Sequence, residues 1–152
     1  MLKISFFLSV GVLAAVLGNT RALTKEEFAN IEADMIAHVK KCGDKFGLSD
    51  DDLKDMKEKA DIDGVDPCLI GCVFKSLKLI NDDGVYVPEV IAEESEKYLS
   101  NAEDKAKFKE IASACATVND EEVSDGKEGC ERAKLLLACF AKHKDELHPS
   151  RR

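Results

Sequence analysis

The sequence predicts an all-α fold, a compact bundle of about six helices held together by three disulfides. Apolar residues recur at three- and four-residue steps through most of the chain, and no alternating strand pattern competes with this spacing. Six cysteines follow the apolar N-terminal segment, and an even number in a secreted chain predicts three disulfides without a free thiol. The fold class therefore follows from periodicity, and its cross-links from the cysteine count.

The N-terminal segment has the features of a secretory signal peptide. Lys3 provides a positive start, Ile4 to Leu17 is apolar apart from small residues and serines, and small residues flank a cleavage point after Ala22. The apolar run is shorter than the about 18 residues of a membrane-spanning helix. We expect a signal peptide at 1–22, with a retained amphipathic anchor as the alternative. One secreted, extracellular domain at 23–152 follows, without stable membrane insertion.

The charge of the expected secreted part argues against several classes of partner. Residues 23–152 contain 20 basic and 30 acidic residues, a net charge of −10. Such a surface repels phosphate backbones and anionic membranes, so we expect no nucleic-acid partner. Residues 144–147 spell an endoplasmic-reticulum retention signal, but five residues follow it and such signals are read at the extreme C-terminus. We therefore expect export.

The first two helices are predicted from their start signals. Thr24 followed by Glu27 forms a capping box, and an apolar stripe on one helix face comes after it. Gly43 and Gly47 are expected to end this helix. Ser49 followed by three aspartates opens a second, short helix, with acidic residues at its positive end as the helix dipole favours.

A third and a fourth helix are predicted to begin at prolines. A turn at 61–66 precedes the third helix, Pro67 stands in its first turn, and its apolar face runs as far as Ile80. The polar segment 81–84 then breaks the chain, and Pro88 starts the fourth helix. Proline suits both starts because its fixed φ matches a helix and the missing N–H would have no partner there.

The C-terminal part of the chain is predicted to hold two more helices. Asn101 caps the fifth helix, and an acidic loop at 120–129 separates it from the sixth. Residues 135–140 are apolar round the whole circumference of the sixth helix, so we expect it in the middle of the bundle. The polar tail at 143–152 is expected to fray.

The cysteine positions restrict the disulfide pairing without determining it. Cys68 and Cys72 stand one helical turn apart, with β-carbons roughly 5–6 Å apart, whereas a disulfide needs about 3.8 Å. Cys130 and Cys139, if both are helical, are separated by about 13.5 Å. Neither pair can bond, which leaves ten of the fifteen possible pairings open.

The cysteine spacing resembles that of the insect odorant-binding proteins, the six-cysteine pheromone and general odorant carriers. The intervals here are 25, 3, 42, 14 and 8 residues, of which the second and the last are that family's fixed intervals. The resemblance covers the whole secreted chain, including helix number, acidity and leader, and it implies an apolar cavity inside the bundle. It also implies three pairings: Cys42–Cys72, Cys68–Cys130 and Cys115–Cys139.

The resemblance further implies where a ligand would lie. Placing the family's pocket relative to the cysteines points to nine apolar residues: Phe28, Met35, Ile70, Phe74, Leu79, Ile80, Ala112, Leu136 and Phe140. For each residue singly, ordinary core packing is the alternative. Four polar candidates stand near the apolar faces, each expected to be a satisfied surface or edge residue: Ser76, Tyr86, Tyr98 and Ser113. The pocket is therefore expected to discriminate mainly by size and shape.

We expect no catalytic activity and no cofactor or metal. The chain lacks GxSxG, HExxH and P-loop motifs. With every cysteine in a disulfide, three histidines are the main remaining candidates for hydrolytic or metal chemistry. His38 lies beside the apolar stripe of the first helix, and we expect it to be a solvated residue that does not trigger ligand release.

The resemblance implies a secreted carrier of small hydrophobic ligands, odorants or pheromones, that delivers them to chemosensory receptors. We expect a monomer or weak homodimer, located in sensillar lymph if the protein is olfactory. The alternative is a non-olfactory family member from saliva, venom or seminal fluid that scavenges ligands or acts on a protein partner. The amino-acid sequence does not distinguish the two, because it carries no information on the tissue of expression.

Overall fold

The structure, a computed structural model, describes residues 23–59 and 63–147. The expected signal peptide and residues 148–152 lie outside these ranges. Within them the chain forms α-helices and two 3₁₀ segments without a β-strand, so the predicted all-α class is confirmed. No helix among these residues is long and apolar enough to cross a membrane. The helices are α1 (Lys25–Lys45), α2 (Asp50–Lys59), α3 (Pro67–Ser76), α4 (Pro88–Tyr98), α5 (Ala102–Ala114), α6 (Cys130–Lys142) and α7 (Lys144–Leu147).

Helix α1 begins where its capping box predicts and ends later than expected. The Glu27 amide donates to the Thr24 hydroxyl over 3.1 Å, and the Thr24 amide donates to the Glu27 carboxylate over 3.0 Å. Gly43 lies inside the helix instead of ending it. Its lack of a side chain lets Leu53 of α2 come close, since a β-carbon there would lie 3.1 Å from a Leu53 methyl carbon. Of the two glycines predicted to end the helix, only Gly47 follows its end, with a left-handed φ of 69°.

Glu27 also ties the start of α1 to the linker between α4 and α5. Its carboxylate accepts hydrogen bonds from the Ser100 amide and the Ser100 hydroxyl, each over 2.9 Å. These bonds, the backbone bond from Ser100 foremost and that from Thr24 next, lower the pKa of Glu27 to about 2. The side chain is only 8 % exposed, so the ionised form depends on these donors.

We expect Glu27→Gln to lower the free energy of unfolding by about 2 kcal/mol at neutral pH. The pKa is lower in the folded than in the unfolded chain, so this stabilisation is complete above the unfolded value of 4.5 and is lost as the pH falls toward 2. Urea unfolding at several pH values measures it. The exposed neighbour Glu26 provides the matched control, Glu26→Gln. A difference between Glu27→Gln and wild type that does not shrink on acidification would contradict the assignment.

Helices α2 and α3 start at the predicted residues. The Asp52 carboxylate accepts from the Ser49 amide over 2.8 Å, and the Cys68 amide donates to the Asp66 carboxylate over 2.8 Å. The first two residues of the turn predicted at 61–66 lie outside the described ranges, and residues 63 and 64 form a turn. Both starts depend on side chains within one helical turn, which is why spacing alone identifies them.

Helix α3 ends at Ser76, four residues before the predicted end at Ile80. Lys78 has a left-handed φ of 61°, which turns the chain back on itself. The Val87 amide donates to the Leu79 carbonyl over 2.8 Å, and Ile80 forms an isolated antiparallel bridge with Tyr86. These residues form a tight loop that folds onto the bundle and competes with a further helical turn.

Helices α4 and α5 pack side by side, and α5 starts at its predicted cap. The Glu103 amide donates to the Asn101 side-chain oxygen over 2.7 Å. The chain continues from α5 into a 3₁₀ segment at Cys115–Asp120, and a second one at Gly126–Glu128 lies inside the loop predicted at 120–129. The start of the predicted polar tail is helical as α7, which a 2.5 Å ion pair between Glu146 and Lys107 holds against α5.

Helix α6 is buried on one face and exposed on the other, and is not surrounded by neighbouring elements as expected. Ala133 and Leu136 are fully buried, whereas Leu135 is 36 % exposed and Ala138 also faces solvent. The helix packs on α3 and on the first 3₁₀ segment with one face. The expectation from its composition is therefore wrong, because the neighbouring elements cover only one side.

Three disulfides join these elements. Cys42–Cys72 links α1 to α3, Cys68–Cys130 links α3 to α6, and Cys115–Cys139 links the 3₁₀ segment that follows α5 to α6, with Cα–Cα distances of 5.9, 4.4 and 5.8 Å. The same three pairings are implied by the family resemblance. Helices α3 and α6 each carry two of the bonds, so they form the cross-linked centre of the fold.

Candidate ligand-binding site

Apolar side chains of α3, α5, α6 and the 79–87 loop meet in one buried cluster, which we call the core cluster. Five of the nine predicted ligand residues are buried members of it: Ile70, Phe74, Leu79, Ile80 and Leu136. Phe140 is half-buried and packs against the cluster. Ala112 is buried on α5. The structure therefore brings most of the predicted set to one region, through contacts between segments far apart in sequence.

The two predicted residues of α1 are not members of the core cluster. Phe28 is half-buried, and Met35 is 38 % exposed. Helix α1 contributes the buried Cys42 to the cluster, and Val39 packs against the cluster. The stripe on α1 thus contributes to the core mainly from its second half, where the disulfide draws it against α3.

Three aromatic rings pack against one another in this region. The ring centroids of Phe74 and Phe140 are 6.3 Å apart with an interplanar angle of 70°, and those of Tyr86 and Phe140 are 6.1 Å apart at 79°. Edge-to-face pairs of this kind contribute roughly 0.5–1.5 kcal/mol beyond the area they bury. Phe140 is half-buried, so it forms the accessible edge of the aromatic group.

Tyr86 is a core residue, although the sequence suggested a surface or edge position. It is 2 % exposed, and its hydroxyl donates to the Ala112 carbonyl over 3.2 Å. Burial, with a smaller contribution from the charge of Glu89, raises the pKa of Tyr86 above its ordinary value. The phenol is thus neutral and retains acceptor capacity on its oxygen. The signal for this position was the pair of apolar runs at 79–80 and 85–87 around a polar turn, which is a hairpin pattern.

Two side chains fix the loop and the 3₁₀ segment that frame the core cluster. Asn119 accepts from the Tyr86 amide and donates to the Tyr86 carbonyl, each over 2.9 Å. The buried Arg132 of α6 donates to the carbonyls of Val118 and Glu121. These bonds connect segments on different elements, so this side of the site is held in one arrangement.

The remaining polar candidates do not add a hydrogen-bonding group to the core cluster. Ser113 is exposed and Tyr98 is half-buried outside it. The Ser76 hydroxyl lies 2.6 Å from His38 Nδ1. His38 is also half-buried. It is thus hydrogen-bonded to α3 and not freely solvated, contrary to the expectation from the sequence.

One group of three possible metal ligands occurs in the described part of the chain. Its candidate ligand atoms, from Cys115, Cys139 and His143, lie within 4.8 Å of one another. The two sulfur atoms are bonded to each other, and a disulfide provides no thiolate for a metal. The group is therefore explained by the cross-link between α5 and α6.

Comparison with known proteins gives three likenesses. The sequence model of the PBP/GOBP family matches residues 24–143. General odorant-binding protein 28a of Drosophila melanogaster is 30 % identical over 112 residues, which cover 71 % of this chain and 73 % of that protein. Among solved structures, odorant-binding protein dmelOBP28a of Drosophila melanogaster is similar with a TM-score of 0.52 and 26 % identity, covering 78 % of this chain and 98 % of that one.

Proposed function

The chain belongs to the PBP/GOBP family, and from this premise we propose that it is a secreted, non-enzymatic carrier that binds small hydrophobic ligands inside its helical bundle. The name of the Drosophila relative, a general odorant-binding protein, favours odorants as the ligand class. The observation that supports this proposal most is the core cluster. Six of the nine residues to which the family resemblance points meet there, although they come from three separate segments.

The proposed cavity lies beside the aromatic group and the buried face of α6. Phe74, Leu136 and Phe140 form its wall, and ligand access is beside Phe140 because that ring is half-buried. Tyr86 is one of the three rings, and its hydroxyl oxygen can accept a hydrogen bond from an alcohol. Size and shape otherwise set the selectivity, since the wall is apolar.

The disulfides make a cavity energetically tolerable in a chain of this size. Each bridge stabilises the fold by roughly 3–4 kcal/mol in the chain-entropy account. A cavity costs about 24 cal/mol per Å³, so the cross-links offset a substantial empty volume. Helices joined by covalent bonds also keep their relative positions while a ligand enters and leaves.

Transfer of a volatile molecule from water into this site provides the binding energy. Burial of about 300 Å² of apolar ligand surface gains about 7 kcal/mol at 25 cal/mol per Å². Loss of translational and rotational freedom offsets part of this gain. Binding in the micromolar range is the expected result.

Displacement of a fluorescent apolar probe by C6–C16 alcohols, aldehydes and esters tests this function. We expect the probe to bind and the volatile compounds to displace it with micromolar constants. A disulfide-bonded, folded chain that binds neither the probe nor any of these compounds at tens of micromolar would contradict the proposal. Native mass spectrometry of protein isolated from tissue would identify a retained ligand and the mature N-terminus together.

We further propose that the expected signal peptide directs the chain out of the cell, and that the carrier delivers its ligand to a chemosensory receptor. The family relationship supports this role, with sensillar lymph as the location. Expression mainly in antennae is the expected result for an olfactory carrier. Expression in a salivary, venom or reproductive gland would favour the non-olfactory alternative.

A further inference from the structure

A concave site lies on the outer surface, between the C-terminal halves of α1 and α3. It is an open cleft of about 310 Å³, and its six lining residues are Lys41, Cys42, Lys45, Cys72, Lys75 and Ser76. Its volume is at the lower limit for small-molecule sites. It contains none of the nine residues predicted to line the internal cavity, so it is a separate site.

The cleft is held in shape by a covalent bond. Cys42 and Cys72 form the disulfide between its two walls, with a Cα–Cα distance of 5.9 Å. The two helices therefore cannot move apart when a ligand binds or leaves. A preformed site loses less free energy to ordering than a flexible one.

Three lysines converge on this cleft in a protein with a surplus of acidic residues. Lys41 and Lys45 stand one turn apart on α1, a spacing at which like charges repel, and Lys75 is on the opposite wall. Within the described residues, no carboxylate lies within 4.0 Å of the three ammonium groups. Lys75 donates one hydrogen bond, to the Lys127 carbonyl over 2.7 Å, which leaves two of its three N–H donors.

Dipole compensation explains part of this arrangement. Lys45 and Lys75 are in the last turns of α1 and α3, where cations are favourable. Lys41 lies a full turn earlier, where the dipole effect has fallen off. The dipole therefore does not account for Lys41. An anion bound between Lys41 and Lys45 would offset the repulsion between their ammonium groups.

We propose that this cleft binds a small amphiphilic carboxylate. The carboxylate lies between the ammonium groups of Lys41, Lys45 and Lys75, where charge-assisted hydrogen bonds are stronger than neutral ones. The aliphatic part lies along the disulfide and the methylene stems of the lysines, which are apolar. The cleft thus favours a carboxylate over the corresponding alcohol.

An NMR titration of the disulfide-bonded secreted chain with octanoate and with octanol tests this site. We expect octanoate to shift the amide signals of residues 41 and 45, on the α1 wall of the cleft, in a saturable manner, and octanol to leave them unchanged. The variant K41Q/K45Q should weaken octanoate binding at these signals about tenfold or more, since it removes two ion pairs. Added salt should weaken it as well.

The variant K134Q/K142Q is the matched control, because it removes the same charge from two exposed lysines of α6. It should bind octanoate at the cleft like the wild type. Equal shifts with octanol, or unchanged octanoate binding in K41Q/K45Q, would overturn the proposal. Displacement of the apolar probe by octanol reports on the internal cavity separately, so failure of one site is distinguishable from failure of the other.

Discussion

Replacing Cys68 and Cys130 with alanine is expected to lower the free energy of unfolding by about 4 kcal/mol. This disulfide spans 62 residues, the longest separation of the three, and loop-closure entropy increases with loop length. Cys68 is exposed and Cys130 is 9 % exposed, so the loss of packed atoms adds little. For a domain of this size the melting temperature should fall by roughly 15 °C. Denaturant unfolding and calorimetry measure the two quantities.

Reduction provides the control for this prediction. Once all disulfides are reduced, the wild type and C68A/C130A should unfold at nearly the same denaturant concentration, because the difference between them is the cross-link. A double variant that is as stable as the oxidised wild type would refute the view that the bond between α3 and α6 supports the fold. The proposal of a tolerated internal cavity would then lose its energetic basis.

Leu136→Ala is expected to destabilise the fold by about 3 kcal/mol. The side chain is fully buried in the core cluster, and removal of a buried leucine costs the transfer energy plus a cavity term. If the proposed ligand site is beside Leu136, the variant also enlarges it. Ligands longer by one methylene should then gain about 0.8 kcal/mol, or roughly fourfold in affinity. Urea unfolding and probe displacement by a series of alcohols measure the two effects.

The adjacent residue provides a control with the same chemistry. Leu135 is 36 % exposed on the other face of α6, so L135A should change the stability by less than about 1 kcal/mol and leave the preferred alcohol length unchanged. Equal destabilisation by L135A and L136A would contradict the one-sided burial of α6. Destabilisation by L136A without any change in the preferred ligand length would place the site away from this helix.

Helix starts were predictable because their signals are local. Thr24 and Asn101 form their caps with residues two or three positions away, so the spacing in the chain already contains the geometry. The same holds for the helix class itself, since an apolar stripe recurs along one short segment. The end of α3 was not predictable in this way, because the competing contact of Ile80 is with Tyr86 in a loop that folds back.

The pairing of the cysteines shows the limit of spacing by itself. Helix geometry excludes bonds within α3 and within α6 but leaves ten pairings open, and the resemblance to a known family was needed to select one. The three bonds in the structure have that pattern. The selection depends on which helices are neighbours, and no short segment of the chain contains that information.

The sequence alone predicted the all-α class and most of the helix starts, because both follow from residue spacing. The cysteine intervals likewise showed the resemblance to the family. The tertiary structure decided which faces are covered: it buried Tyr86, exposed Leu135, and brought three lysines of two helices to one cleft. The physical reason is that burial and charge clustering arise from contacts between distant segments. Apolar area and ammonium groups acquire neighbours only when these helices pack.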